Sequence, residues 1–245
     1  MKKAFTMVEL VFVIILVGIL SFFISESLQR NTLQEAADQV ISHIRYTQHL
    51  AMMDEKFIPN ATVSHYKNAV QQNKETQFWY KGRWQILFFN VNGETPNNSF
   101  TAYAIFSDSP STTAGNNQYD GNPNQSNNFH EVARNPNDNM RYLIGANHAS
   151  FTLGTAFLTK NMNLNETYGI SQVTFAGGCN TANRVTFDYL GRPFQGNSST
   201  MTSSYGNNRL IVSDCNITLA KENGQNIVIT VSPETGYSYI SRKSF

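Results

Sequence analysis

The sequence predicts an α+β fold, with one long N-terminal helix packed on an antiparallel, β-rich domain. Three observations carry that expectation. The run from Phe5 to Ile24 is apolar apart from a single charge, Glu9. An amphipathic pattern follows it, and no proline occurs before Pro59. After Met53 the helical periodicity gives way to short alternating runs.

The apolar run comes first. At 1.5 Å per residue its length is about 30 Å, one hydrocarbon thickness. Lys2 and Lys3 precede it, and the positive-inside tendency puts such an N-terminus in the cytoplasm. Everything after Ser25 is then exported. A secretory signal peptide needs a small-residue cleavage site after the run, and "SFFISESLQRN" contains none. A plain signal anchor leaves Glu9 without a role, although an acidic side chain in hydrocarbon costs about 3 kcal/mol.

The second element continues the first. In "LQEAADQVISHIRYTQHLAMM", Leu33, Ala37, Val40, Ile41, Ile44, Ala51 and Met52 recur at spacings of three, four and seven, the stripe of an amphipathic helix. With nothing to force a break, the prediction is one helix of about fifty residues, roughly 75 Å long. Its residues 5–24 form a transmembrane and assembly half, and 25–56 an amphipathic half.

The remainder, residues 57–245, reads as β-structure. "TQFWY" and "RWQILFFNV" flank Lys81-Gly82, a hairpin signal. "FTAYAIFSD", "QVTFA", "RVTFDYL", "RLIVSD", "CNITLA", "NIVITVS" and "GYSYIS" follow. Asn223-Gly224 suits a primed turn, and Ile227, Ile229 and Val231 line one strand face. Thirteen asparagines lie from Asn90 to Asn139. That stretch, about 90–140, reads as an Asn-rich loop too poor in apolar surface to order itself well. Asp120, Asn122 and Asn124 loosely resemble a calcium loop, without the distal Glu of an EF-hand.

The 245 residues carry a formal charge of +1. Without Lys2 and Lys3 there are 16 basic side chains against 17 acidic ones, which argues against a large nucleic-acid footprint. Two cysteines, Cys179 and Cys215, have no metal-ligand spacing. In an exported chain such a pair reads as a disulfide, the alternative being two small core residues.

"KKAFTMVELVFVIILVGIL" resembles the leader and N-terminal helix of type IV pilins and type II secretion pseudopilins. "VTFDYLGRPF" and "CNITLAKENGQNIVITVSPETGY" resemble the β-region of the GspH/FimT-type minor pseudopilins. The resemblance implies a pilin-like fold with a leader peptide at residues 1–4. It implies cleavage between Ala4 and Phe5 by a prepilin peptidase, which then methylates Phe5. It makes Glu9 the carboxylate that pairs with a neighbouring subunit's N-terminal amine during assembly. That pairing would explain the acid, since a buried carboxylate is tolerated when a cation meets it. The chain departs from the family in having Ala4 where Gly is usual, and in lacking a proline late in the apolar run.

No catalytic set is present. His43, His49, His65, His130 and His148 form no H-x-x-x-H or H-E-x-x-H pair, and there is no G-x-S-x-G motif and no phosphate loop. With the resemblance, this implies a non-enzymatic subunit without a cofactor that helps initiate or cap a type II secretion pseudopilus or a type IV pilus. Its expected partners are other pilin or pseudopilin subunits, the prepilin peptidase/methyltransferase and the bacterial inner membrane. The expected placement is single-pass, with a cytoplasmic N-terminus and a periplasmic C-terminal domain. Two alternatives stand beside it. One is a DNA-binding minor pilin using Arg242 and Lys243, with Tyr237 and Tyr239 to stack a base. The other is an anchored periplasmic binding module.

Overall fold

The computed structural model describes residues 6–27, 31–54, 78–91, 101–110, 119–126, 129–180, 183–205 and 208–244. Among these the chain is mostly β-sheet, with three α-helices: α1 (Met7–Ser27), α2 (Thr32–Met53) and α3 (Leu164–Tyr168). The expected long helix packed on a β domain is corrected. Helix occurs as separate pieces of 21 and 22 residues, and Met1–Thr32 and Leu33–Phe245 are distinct compact units. The absence of proline removes one helix breaker but does not supply a helix former. Asn31, which precedes α2, is of a residue type that favours caps and turns, because its side chain competes for backbone hydrogen bonds.

The single-pass inner-membrane placement is corrected with it. Among the described residues no helix is long and apolar enough to cross a membrane.

The larger unit begins with α2, which buries Leu33, Ala36, Ala37, Val40, Ile41, Ile44, Thr47 and Ala51. Met52, expected on this stripe, is exposed. The strands follow as β1 (Trp84–Phe89), β2 (Ala102–Ser107), β3 (Gln125–Ser126), β4 (Phe129–His130), β5 (Arg134–Asn135) and β6 (Asp138–Tyr142), then β7 (Gln172–Gly177), β8 (Arg184–Phe187), β9 (Pro193–Gln195), β10 (Cys215–Ala220), β11 (Asn226–Val231) and β12 (Ser238–Ser244). One four-stranded sheet has the order β2-β1-β8-β9 and a second the order β12-β11-β10-β7; β3-β4 and β5-β6 are two-stranded. All the pairs are antiparallel.

The main core joins α2 to both four-stranded sheets. Ile86 and Phe88 of β1, Tyr103 and Ile105 of β2, and Val185 and Phe187 of β8 meet Val173, Ile217, Leu219, Ile227, Ile229 and Val231 of the second sheet. The alternate residues Leu87, Phe89, Ala102, Ala104 and Phe106 face a second cluster with Val132, Tyr142, Ile144, Phe151 and Leu158. The first sheet is thus covered on both faces, which explains why "WQILFF" is apolar without alternation. The second sheet is covered on one face, and β10 alternates accordingly.

Candidate functional site

Of the residues singled out in the sequence, Ala4 and Phe5 lie outside the described residues. Glu9 is in the first turn of α1. Its backbone N–H donates to Thr6 Oγ1 at 3.3 Å, one half of a capping box. The acid also sits at the positive end of the helix dipole, worth about 0.3–1 kcal/mol. The signature Thr6-x-x-Glu9 was readable in the sequence and gives Glu9 a role within its own helix.

Cys179 and Cys215 form a disulfide across a separation of 36 residues, with Cα atoms 5.1 Å apart. Both are fully buried. Cys215 opens β10 opposite Gly177, the last residue of β7, and the N–H of Gly178 donates to the Asp214 carbonyl at 2.9 Å. The strand pairing itself brings the thiols together.

A buried polar cluster was not foreseen. Asp108 follows β2, Glu131 follows β4, and Arg184 opens β8; all three are buried. Asp108 Oδ2 accepts from the N–H of Gly121 at 2.7 Å. Glu131 Oε1 accepts from the N–H of Ser109 at 2.9 Å and from its hydroxyl at 2.5 Å, and Oε2 from the N–H of Asn124 at 2.8 Å. Arg184 donates to Gln85 Oε1 at 3.0 Å and to the Gly121 carbonyl. Burial, reinforced by the Glu131 carboxylate, pushes Asp108 up to about 9. Burial pushes Glu131 up to about 7, against the pull of its Ser109 and Asn124 donors. The hydrogen bonds that reach these carboxylates come chiefly from loop backbone, so the cluster straps residues 119–126 onto the first sheet. No local periodicity could have announced it, since its members come from segments far apart in the chain.

The calcium-like pattern resolves into the same strap. Asp120 Oδ1 accepts from the N–H of Asn122 and Oδ2 from Asn124 Nδ2, both at 2.8 Å, an Asx-type turn. Among the described residues no group of three or more His, Cys, Asp or Glu could hold a metal.

His43 belongs to a second buried network. Its Nδ1 lies 2.7 Å from the Tyr103 hydroxyl, which also accepts from Gln39 Nε2 at 2.9 Å. Gln39 Oε1 accepts from the Tyr168 hydroxyl at 2.6 Å. Burial lowers His43 to about 4, leaving a neutral ring that ties α2 to β2 and α3.

Arg242 and Lys243 are exposed on β12, an edge of the second sheet. Tyr237 and Tyr239 stack with centroids 5.8 Å apart, and Arg45 of α2 lies over Tyr237 at 5.2 Å. Arg45 also donates to the Ser238 carbonyl at 2.7 Å. The tyrosines expected to stack a base are therefore stacked on each other, with an arginine on one of them.

No protein family, curated protein or solved structure matches this chain. Its function is argued from its own residues.

Proposed function

We propose that the chain is a structural subunit of a pilin- or pseudopilin-type filament, helping to start or cap it. The observation that carries the reading is α1. Every described side chain from Thr6 to Ser21 is exposed. Between Met7 and Leu20, twelve large apolar side chains are 43–85 % exposed. An apolar surface of that extent marks an interaction site. Because it runs all round the helix, a single flat partner cannot cover it, whereas a bundle of like helices can. Glu9 is the single charge on this surface, and the resemblance gives it an amine partner on the neighbouring subunit.

The capping box supplies the test. Gln serves at this position of a capping box as well as Glu does, but it carries no charge. Filament incorporation of Glu9→Gln and Glu9→Ala is measured in the native cells by shearing and immunoblot, beside the mass of the N-terminal peptide. The filament reading expects a chain that starts at methylated Phe5 and a loss of incorporation in both variants. Loss in Glu9→Ala alone assigns Glu9 to helix capping. Normal incorporation of both, with residues 1–4 retained, removes the filament reading.

A further inference from the structure

The turn between β10 and β11 carries the Asn-Gly pair Asn223-Gly224, and both residues are exposed. We propose that Asn223 is a site of spontaneous modification, where the chain's own backbone converts the side-chain amide to aspartate and isoaspartate with water as co-reactant. The inference stands on this turn and does not depend on filament assembly.

The chemistry balances with water alone. The backbone nitrogen of Gly224 gives its proton to hydroxide, and its lone pair attacks Asn223 Cγ. The tetrahedral adduct takes a proton at Nδ2 and expels that nitrogen as ammonia, which closes a five-membered succinimide ring. Water then adds to one of the two ring carbonyls. Breaking the bond from Cγ to the Gly224 nitrogen leaves aspartate in an ordinary chain. Breaking the bond from the backbone carbonyl carbon to that nitrogen leaves isoaspartate, whose chain runs through the side chain.

The turn supplies what ring closure needs. The N–H of Gly224 donates to the Lys221 carbonyl at 3.1 Å, and that of Lys221 to the Gln225 carbonyl at 2.9 Å. Gly224 alone of the pair has a positive φ, 86°, so the loop is a three-residue hairpin connection rather than a primed turn. A Cβ at Gly224 would meet no heavy atom within 4 Å. Nothing packs over this side of the loop, and glycine leaves the backbone free to rotate. The N–H of Gln225 donates to Asn223 Oδ1 at 3.1 Å, the atom on which negative charge develops, and so acts as an oxyanion donor. Gln225 Oε1 accepts from Asn223 Nδ2 at 3.0 Å and holds the leaving nitrogen. The Gly224 bond to Lys221 must open first. It lies in an exposed loop, where opening is local.

Asp120-Gly121 offers a contrast within the same chain, since an aspartyl-glycyl pair can close the same ring with loss of water. Gly121 is buried, its N–H is held by Asp108 Oδ2 at 2.7 Å, and the Asn197 side chain fills the space a Cβ would take. That pair is expected to stay intact. Conversion at Asn223 adds one negative charge and takes the formal charge from +1 to zero, a balance that favours association. Isoaspartate also lengthens the connection that sets the register of Ala220 opposite Asn226.

The test incubates the full-length chain at mildly alkaline pH, folded and in urea, and follows its peptides by mass spectrometry and by labelling with isoaspartyl methyltransferase. The folded chain is expected to gain isoaspartate at Asn223, at a rate proportional to hydroxide concentration, and none at Asp120. Asn223→Gln, which would need a six-membered ring, is expected to remove the signal. Gln225→Pro lacks the N–H on Oδ1 and is expected to slow the reaction by about tenfold or more, with circular dichroism checking its fold. Gly224→Ala, which crowds the attacking nitrogen, provides a second variant and is expected to slow it as well. Reaction at Asn223 in urea alone overturns the proposal, as does equal isoaspartate at Asp120 in the folded chain. A wild-type rate in folded Gln225→Pro overturns the role given to the turn.

Discussion

The side-chain amide of Gln48 on α2 donates to the carbonyl of Gly191 at 2.7 Å, and also reaches the Thr235 carbonyl at 2.7 Å. One helical residue therefore holds two turns, the one between β8 and β9 and the one between β11 and β12, and so ties both sheets to α2. Gln48→Ala is expected to lower the stability of the unit by about 1–3 kcal/mol, because two carbonyls lose their donor. Urea denaturation followed by circular dichroism measures it. Gly236→Ala is expected to cost at least as much. Gly236 has φ 65°, and an added Cβ would lie 2.7 Å from Gln48 Nε2 and 2.9 Å from the Gly191 carbonyl oxygen.

The disulfide predicts a redox-dependent stability. Closing a loop of 36 residues removes chain entropy from the unfolded state worth about 4 kcal/mol. Reduction, or Cys179→Ala/Cys215→Ala, is expected to shift the urea midpoint down by that order. An unchanged midpoint under reductant would show that the bridge adds nothing to the packing around it.

Asp108 predicts an alkaline limb. Its folded value, about 9, lies above the ordinary 3.8, so the folded chain holds a proton that the unfolded chain has released. Stability is then fully present below about pH 4 and falls as pH rises toward 9. Asp108→Asn keeps an oxygen for the Gly121 N–H and cannot ionise. It is expected to flatten this limb and to stabilise the chain at pH 8 by about 1–3 kcal/mol. Thermal unfolding from pH 5 to pH 9 checks the slope. A variant with the wild-type slope would assign the limb to Glu131 instead.

His43 predicts the opposite limb. Burial lowers it from 6.5 to about 4, so between those values the unfolded chain binds the extra proton. Stability is expected to fall as pH drops from 6.5 toward 4. His43→Gln retains a hydrogen-bonding group near the Tyr103 hydroxyl, and is expected to reduce this acid dependence without changing the profile above pH 7.

Much of the β-structure was legible because one-sided burial writes itself as alternation. "CNITLA" and "NIVITVS" show it, and so does the stripe from Leu33 to Ala51 on α2. The first sheet was harder to read in detail. Covered on both faces, β1 has no alternation, and Lys81-Gly82 reads as a hairpin turn where Trp79–Lys81 forms a short 3-10 helix. The continuous helix was inferred from an absence of breakers, which cannot show where a helix ends. The Asp108, Glu131 and Arg184 cluster was invisible because tertiary folding alone brings those side chains together. The described residues 119–126 of the Asn-rich stretch are held by hydrogen bonds that composition does not announce. Once Asp108 and Glu131 stand ready as acceptors, its backbone N–H groups find partners that apolar burial could not supply.

The place of the disulfide bears on how copies behave when crowded together. β7 is the outermost strand of its sheet, and its neighbour β10 comes only after the chain has left for the first sheet and returned. A strand so placed is a natural candidate for exchange, peeling from its own molecule and pairing with the next. The Cys179–Cys215 bond fastens the end of β7 to the start of β10 within one chain. In the oxidised protein, strand trading at this edge is closed off covalently, and only reduction reopens it.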